Sequence, residues 1–130
     1  MNVLALAALT LLYPHTWHVT TQPQLAVTDP VQRFALYSGA ALPANGPPRR
    51  NQVVAIVLEQ EPPSRAGFPP RPTRFRLPRL GALENLSGNR WGEILFRDHG
   101  RSFYVFVWIG RSANGRVPEL LTALDSLRVS

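Results

Sequence analysis

Two segments of the chain carry apolar residues on both faces that an extended strand would have, a pattern typical of strands in the middle of a sheet. The first spans residues 53 to 58 and the second spans residues 102 to 109. In the second, the two faces are formed by Phe103, Val105, Val107 and Ile109 and by Tyr104, Phe106 and Trp108. Because a strand with two apolar faces must be covered on both sides, we expect these two strands at the sheet centre.

Further β-rich runs surround these segments. They occupy residues 16–20 (TWHVT), 31–38 (VQRFALYS) and 91–97. Asp98-His99-Gly100 separates the last run from residues 102–109, and glycine supplies the positive φ of a tight hairpin, so a turn is expected from Asp98 to Arg101. The apolar start of the chain predicts a first strand that begins almost at Met1. Residues 74–78 (RFRLP) predict a short edge strand that Pro78 ends.

The C-terminal segment VPELLTALDSLRV predicts a helix. Pro118 suits the first helical position. Leucines 120, 121, 124 and 127 form one stripe at helical spacing, which should cover one face of the sheet. The N-terminal segment and the long loops are expected to cover the other face.

Together these elements predict one α+β domain over residues 1–130. It should contain a mostly antiparallel sheet of five to seven strands, with the C-terminal helix packed on one face and a proline/arginine-rich loop at about residues 60–80. A chain of 130 residues is long enough for one domain with a sizeable core. The chain contains no cysteine, which excludes disulfides, thiolate metal sites and cysteine nucleophiles.

The apolar start MNVLALAALTLLYP does not fit a targeting or membrane segment. A secretory signal needs a basic residue before its apolar stretch, and none is present. A transmembrane helix needs about twenty apolar residues, and Pro14 and His15 interrupt the run too early. We therefore expect no transmembrane segment and disfavour a cleaved signal.

Charge points to an acidic partner as one alternative. Fourteen basic residues against eight acidic ones give a net charge of +6, and every basic residue is arginine. The proline-rich loop carries several of these arginines and two phenylalanines, a composition that can follow a phosphate backbone and stack on bases. The candidate binding residues are Arg65, Phe68, Arg71, Arg74, Phe75, Arg76 and Arg79. A GC-rich codon supply also produces this bias, so a solvated loop remains open. Residues 69–74 (PPRPTR) also match a polyproline ligand.

Catalytic and metal-binding patterns are weak. His15 and His18 would share a helix face, but in a strand their odd separation places them on opposite faces, so we expect no metal site and no cofactor. There is no phosphate-binding loop and no nucleophile elbow. A small hydrolase that uses Glu59, Glu61 or Asp98 is an alternative, and it would require a pocket with a carboxyl group of raised pKa.

The two ends of the chain resemble PsbP-like domains. LLYPHTWHVT is similar to their opening strand, in which a Tyr-Pro pair precedes a tryptophan, and GRSFYVFVWIG with LLTALDSLRV resembles their closing strand and helix. The hairpin F-x-D-x-G-R-x-F at residues 96–103 also resembles small uncharacterised secreted domains of GC-rich bacteria. The likeness covers roughly the first twenty and last forty residues, and the middle of the chain departs from it. It implies an antiparallel sheet with helical cover, binding or scaffolding, and a place outside the cytoplasm, but it transfers no functional residue.

The sequence therefore predicts a non-catalytic binding or structural module with an unidentified protein partner. Nucleic-acid or other polyanion binding through residues 65–79 is the first alternative. The hydrolase that uses Glu59, Glu61 or Asp98 is the second.

Overall fold

The computed structural model describes residues 1–27, 29–39, 49–77, 81–82 and 89–130. Its strands are β1 Asn2–Leu6, β2 Leu9–Tyr13, β3 Trp17–Thr20, β4 Val31–Ser38, β5 Val53–Gln60, β6 Gly81–Ala82, β7 Arg90–Asp98, β8 Arg101–Ile109 and β9 Arg128–Val129. One α-helix, α1, spans Val117–Asp125 and follows a short 3-10 turn at Asn114–Arg116. The predicted α+β class, mostly antiparallel sheet with a C-terminal helix, is confirmed.

The main sheet has six strands in the order β3-β4-β5-β8-β7-β6, and every neighbouring pair is antiparallel. This number lies within the predicted five to seven. Strands β5 and β8 occupy the two middle positions, as expected for segments with two apolar faces. All residues from Val53 to Glu59 are buried.

The β7–β8 hairpin has the predicted turn. Asp98 pairs with Arg101, and the two residues between them have positive φ, 49° for His99 and 72° for Gly100. Two consecutive positive φ values are typical of the tight turn whose twist matches that of the strands it joins. The turn places Asp98, His99 and Arg101 together at one end of the sheet.

The N-terminal segment forms a second, three-stranded sheet in the order β1-β2-β9. A strand that begins almost at Met1 was expected, but the apolar run folds back on itself at Ala7 and Ala8 as a hairpin. Ala8 has a φ of 61°, a conformation that alanine rarely adopts. The Ser126 hydroxyl accepts a hydrogen bond from the Leu12 N–H and donates one to the Leu12 carbonyl oxygen. These bonds link the end of α1 to β2.

The main core lies between the six-stranded sheet and a layer made of α1 and the small sheet. Leu9 and Leu11 of β2 share this core with Leu120 and Leu124 of the helix and with Leu127 just after it. The N-terminal segment therefore covers the same face as the helix, and the prediction that it covers the opposite face is wrong. Its inward leucines alternate with exposed residues, so it has one apolar face to bury, and that face packs beside the helix.

The opposite face of the main sheet buries Ala35, Val54, Ile56 and Leu58. Partly buried aromatic residues of β4 and β8 pack around them, together with Leu25 from the chain before β4. Phe68 from the proline-rich loop also packs here, with its ring centroid 4.9 Å from that of Tyr104. The loops thus cover this face, as predicted.

The predicted edge strand at 74–78 is wrong over residues 74–77, which form no strand; Pro78 lies outside the described residues. The physical reason is that Phe75 is buried and its backbone N–H is donated to the Asp125 carboxylate at the end of α1. The backbone is therefore bonded to the helix end. No helix in the described part of the chain is long and apolar enough to cross a membrane.

Candidate functional site

Residues 61–77, which we call the strap, cross from one face of the main sheet to the other. Near its start, the Ser64 N–H is donated to the Ser102 hydroxyl, which in turn donates to the Ser64 carbonyl oxygen. Further along, the Arg97 N–H is donated to the Pro69 carbonyl at 2.8 Å, and the Arg71 N–H to the Arg97 carbonyl at 2.9 Å. The strap therefore pairs with the edge of β7 at Arg97.

Two buried phenylalanines anchor the strap on opposite faces of the sheet. Phe68 is 4% exposed and contacts Tyr104, whereas Phe75 is 3% exposed and packs edge-on against Phe96, 5.0 Å between ring centroids. Base stacking would require both rings to be exposed. The structure does not meet that condition, because both rings are part of the cores.

Arg71 joins the strap to two other elements. Its guanidinium donates to the Asp98 carboxylate at 2.9 Å and to the carbonyl oxygens of Leu124, Asp125 and Leu127 at the end of α1. The last carbonyls of a helix have no partner inside the helix, and a cation there is stabilising. Arg71 is thus a structural ligand of the helix end.

The other arginines proposed for binding are placed differently. Arg65, Arg74 and Arg76 are exposed, and Arg79 lies outside the described residues. Arg65 lies beside a cleft between the strap and the β7–β8 hairpin, whereas Arg74 and Arg76 do not line that cleft. The structure therefore does not align the described arginines into one basic groove.

The cleft has a volume of about 490 Å³. Strap residues 63–65, 70 and 71 form one wall, and residues 97–100 and 102 of the hairpin form the other. The chemically important side chains in its walls are those of Arg65, Arg71, Arg97, Asp98, His99 and Ser102. The strap and the hairpin, which are remote in sequence, thus bring together residues from both alternatives, the polyanion binder and the hydrolase.

Asp98 is ionised in this environment. Burial by itself would raise its pKa, but hydrogen bonds from Arg71 and His99, with their charges, outweigh burial and hold the pKa of Asp98 below its ordinary value. The His99 Nδ1 lies 2.6 Å from the carboxylate. A general acid at neutral pH needs a raised pKa, so Asp98 is unsuited to that role.

Glu59 forms a second cluster, near the other side of the hairpin turn. The residue is 3% exposed, and its carboxylate accepts hydrogen bonds from Arg33 at 2.9 Å and from two nitrogens of Arg101 at 2.6 and 2.8 Å. Burial opposes ionisation, but the two guanidinium groups dominate and lower the pKa of Glu59. Glu61 is exposed and pairs with Arg33. The hydrolase hypothesis requires a raised pKa, and neither Glu59 nor Asp98 has one.

Burial does raise the pKa of Glu93, in the middle of β7. Glu93 lies opposite Phe106. It lines neither the cleft nor a second cavity of about 390 Å³ beside Arg33 and Arg101.

The histidines contact different elements. His15 lies in the turn before β3, with Nε2 2.8 Å from the N-terminal amine and Nδ1 3.0 Å from the Asn2 side-chain oxygen. His18 lies in β3, and its ring stacks on Tyr37 at 5.5 Å. Among the described residues, no group of three or more histidine, aspartate or glutamate side chains is arranged to hold a metal ion.

Comparison with known proteins gives no relative: no family model, no curated protein and no solved structure matches the chain. The resemblance to PsbP-like domains therefore stays a prediction.

Proposed function

We propose that this protein is a non-catalytic binding module and that the cleft between the strap and the β7–β8 hairpin is its ligand site. The observation that carries the proposal is that hydrogen bonds within the chain hold both walls in place. The backbone N–H and carbonyl oxygen of Arg97 both form hydrogen bonds with the strap, and the Ser102 hydroxyl forms two hydrogen bonds with the Ser64 backbone. A preformed concave site loses less conformational freedom on binding than a mobile one.

The side chains in the cleft favour binding over catalysis. Asp98, His99 and Ser102 are residue types that cooperate in some hydrolases, but Ser102 is 2% exposed and its hydroxyl is already bonded to Ser64. A nucleophile needs an accessible hydroxyl beside its base. The Asp98 carboxylate is paired with Arg71. These groups are suited to keeping the cleft in shape.

A screen with a matched pair of variants tests the proposal. Pro63 and Pro72 are both exposed strap residues, but only Pro63 lines the cleft. Thermal unfolding of the wild type, Pro63→Trp and Pro72→Trp should be measured against a diverse library of small molecules. A ligand that binds the folded state raises the unfolding temperature. We expect ligands that stabilise the wild type and Pro72→Trp but not Pro63→Trp.

The absence of any stabilising ligand, or stabilisation that survives in Pro63→Trp, would contradict the proposed site. Incubation with chromogenic ester and phosphate substrates tests the non-catalytic half of the proposal. We expect turnover at the background rate. Turnover that disappears in Asp98→Asn would overturn it in favour of the hydrolase.

A further inference from the structure

We infer that the ligand of this cleft presents an oxyanion, a phosphate or a carboxylate group, and that Arg65 and Arg97 bind it. The inference rests on the proposed function of the cleft. Three arginines and one aspartate line the cleft, so that its walls carry a formal surplus of two positive charges, three minus one. Asp98 forms an ion pair with Arg71, so the surplus positive charge belongs to Arg65 and Arg97.

The two arginines have hydrogen-bond donors available, whereas Arg71 does not offer its terminal nitrogens. Within the described chain, the Arg65 guanidinium makes no hydrogen bond or ion pair. Toward the described residues, the Arg97 guanidinium donates only from Nη1, to the Phe68 carbonyl oxygen at 2.7 Å, so that Nε and Nη2 have no partner among them. Both terminal nitrogens of Arg71 are bonded to Asp98 and the helix end. The planar guanidinium fork matches the geometry of phosphate and carboxylate oxygens.

The one carboxylate in the cleft does not compete with an incoming anion for these donors. The Asp98 side chain is 15% exposed, and Arg71 and His99 both contact its oxygens. Arg97 is held by backbone hydrogen bonds to Pro69 and Arg71, so its position is set before a ligand arrives. Preorganised donors gain more affinity than mobile ones because less freedom is lost on binding.

The size of the cleft indicates an anionic group attached to an organic body. A volume of about 490 Å³ lies in the range of sites for small organic ligands and is much larger than one phosphate group needs. The ligand class is therefore a small phosphorylated or carboxylated molecule, bound by its anionic end.

The test uses inorganic phosphate and acetate as separate probes, with ionic strength held constant by chloride. Binding is measured from amide shifts in NMR spectra of the wild type, Arg65→Gln, and the controls Arg74→Gln and Arg76→Gln. The controls remove the same charge from exposed strap positions outside the cleft. We expect Arg65→Gln to weaken binding of the preferred probe roughly five- to tenfold, the size of one lost hydrogen bond at a solvent-accessible site. The controls should change it less than twofold, and the tighter probe identifies the oxyanion.

Equal weakening by Arg65→Gln and Arg74→Gln would show attraction by net charge alone and would overturn the inference. If the NMR spectrum of Arg97→Gln shows a folded chain, this variant is a second test, and it should weaken binding of the same anion. If neutral library ligands bind in the cleft but neither phosphate nor acetate does, the anionic ligand class is wrong and the binding module stands. If nothing binds in the cleft, the proposed function itself fails.

Discussion

At the residue scale, Arg71 is the side chain that joins the strap, the hairpin and the helix. Replacement by alanine removes the partner of Asp98 and of three carbonyl groups at the end of α1. Leaving a largely buried charge without its partner is costly, so we expect Arg71→Ala to lower the free energy of unfolding by about 2–4 kcal/mol. Urea unfolding followed by circular dichroism measures this value.

Arg74→Ala is the matched control for Arg71. Arg74 lies three residues further along the strap and is exposed. Because Arg74 has no side-chain partner among the described residues, its removal should change the free energy of unfolding by less than about 0.5 kcal/mol. Equal losses in the two variants would contradict the structural role of Arg71.

Glu59 and Asp98 predict how stability depends on pH. Both groups have pKa values below their ordinary values, 4.5 and 3.8, in the folded protein. At pH values well above 4.5 both are ionised in the folded and unfolded states, and their stabilising effect is complete. Below that pH the unfolded chain binds protons first, so the free energy of unfolding should fall until the pH passes the folded pKa values.

The variant Glu59→Gln tests the origin of this acid loss. At pH 7 it should be less stable than the wild type by about 3 kcal/mol, because Arg33 and Arg101 lose their buried partner. Its stability should also fall less steeply below pH 4.5. Urea unfolding at a series of pH values measures both, and a wild-type acid slope in the variant would show that Glu59 is not the group responsible.

Sequence patterns identified some residues of the site but not their roles. Asp98, Glu59 and Arg71 were singled out by their chemistry. However, the partners of Arg71 lie 27 to 56 residues away in the chain, and those of Glu59 lie 26 and 42 residues away. No local pattern predicts such pairs. Arg97 and Ser102 were not predicted for the cleft, because each occupies an ordinary alternating position in a strand.

At the element scale, the end of β8 is fixed by a close approach of two backbones. A Cβ atom on Gly110 would lie 2.1 Å from the Arg49 carbonyl oxygen, whereas one on Gly115 would meet nothing within 4 Å. Because backbone atoms cannot move aside easily, Gly110→Ala should cost about 1–3 kcal/mol or more. Gly115→Ala is the control and should be close to neutral. Thermal unfolding of both variants measures the contrast, and similar melting temperatures would contradict the close approach.

Trp17 connects β3 to the helix layer. It is 1% exposed, and its indole N–H donates a hydrogen bond to the Glu119 carboxylate at 3.2 Å. Trp17→Ala should lower the free energy of unfolding by about 3–5 kcal/mol, the range for removal of a buried aromatic side chain. Glu119→Gln retains a hydrogen-bond acceptor, so it should lower the free energy of unfolding much less. A loss below 1 kcal/mol for Trp17→Ala would contradict its place in the core.

The elements that the sequence predicted well are those with a strong local pattern. Strands β5 and β8 have apolar side chains on both faces, and the β7–β8 turn has glycine where positive φ is needed. The β1–β2 hairpin was missed because its turn is Ala7-Ala8, without a glycine, asparagine or proline signal. A loop at about residues 60–80 was predicted, but the contacts of the strap were not, because its prolines conceal any periodicity and its two phenylalanines are buried by contacts with distant strands.

At the scale of the whole molecule, the strap contributes to both cores of the fold and forms one wall of the cleft. It covers part of one sheet face with Phe68, pairs with the edge of β7, and completes the other core with Phe75. The cleft lies where the strap meets the β7–β8 hairpin. The arginine and proline composition that suggested a nucleic-acid arm is thereby explained in part by structure, and Arg65 and Arg97 remain available for a ligand.

The most direct test of this account is a map of amide chemical-shift changes in the wild-type protein as it is saturated with the tightest ligand from the small-molecule screen. The account predicts that the largest changes lie in residues 64, 65, 71, 97–100 and 102, the residues of the two cleft walls that carry an amide N–H. Changes centred elsewhere, such as the outer face of β1 and β2 or the exposed arginines 49, 50 and 111, would contradict it.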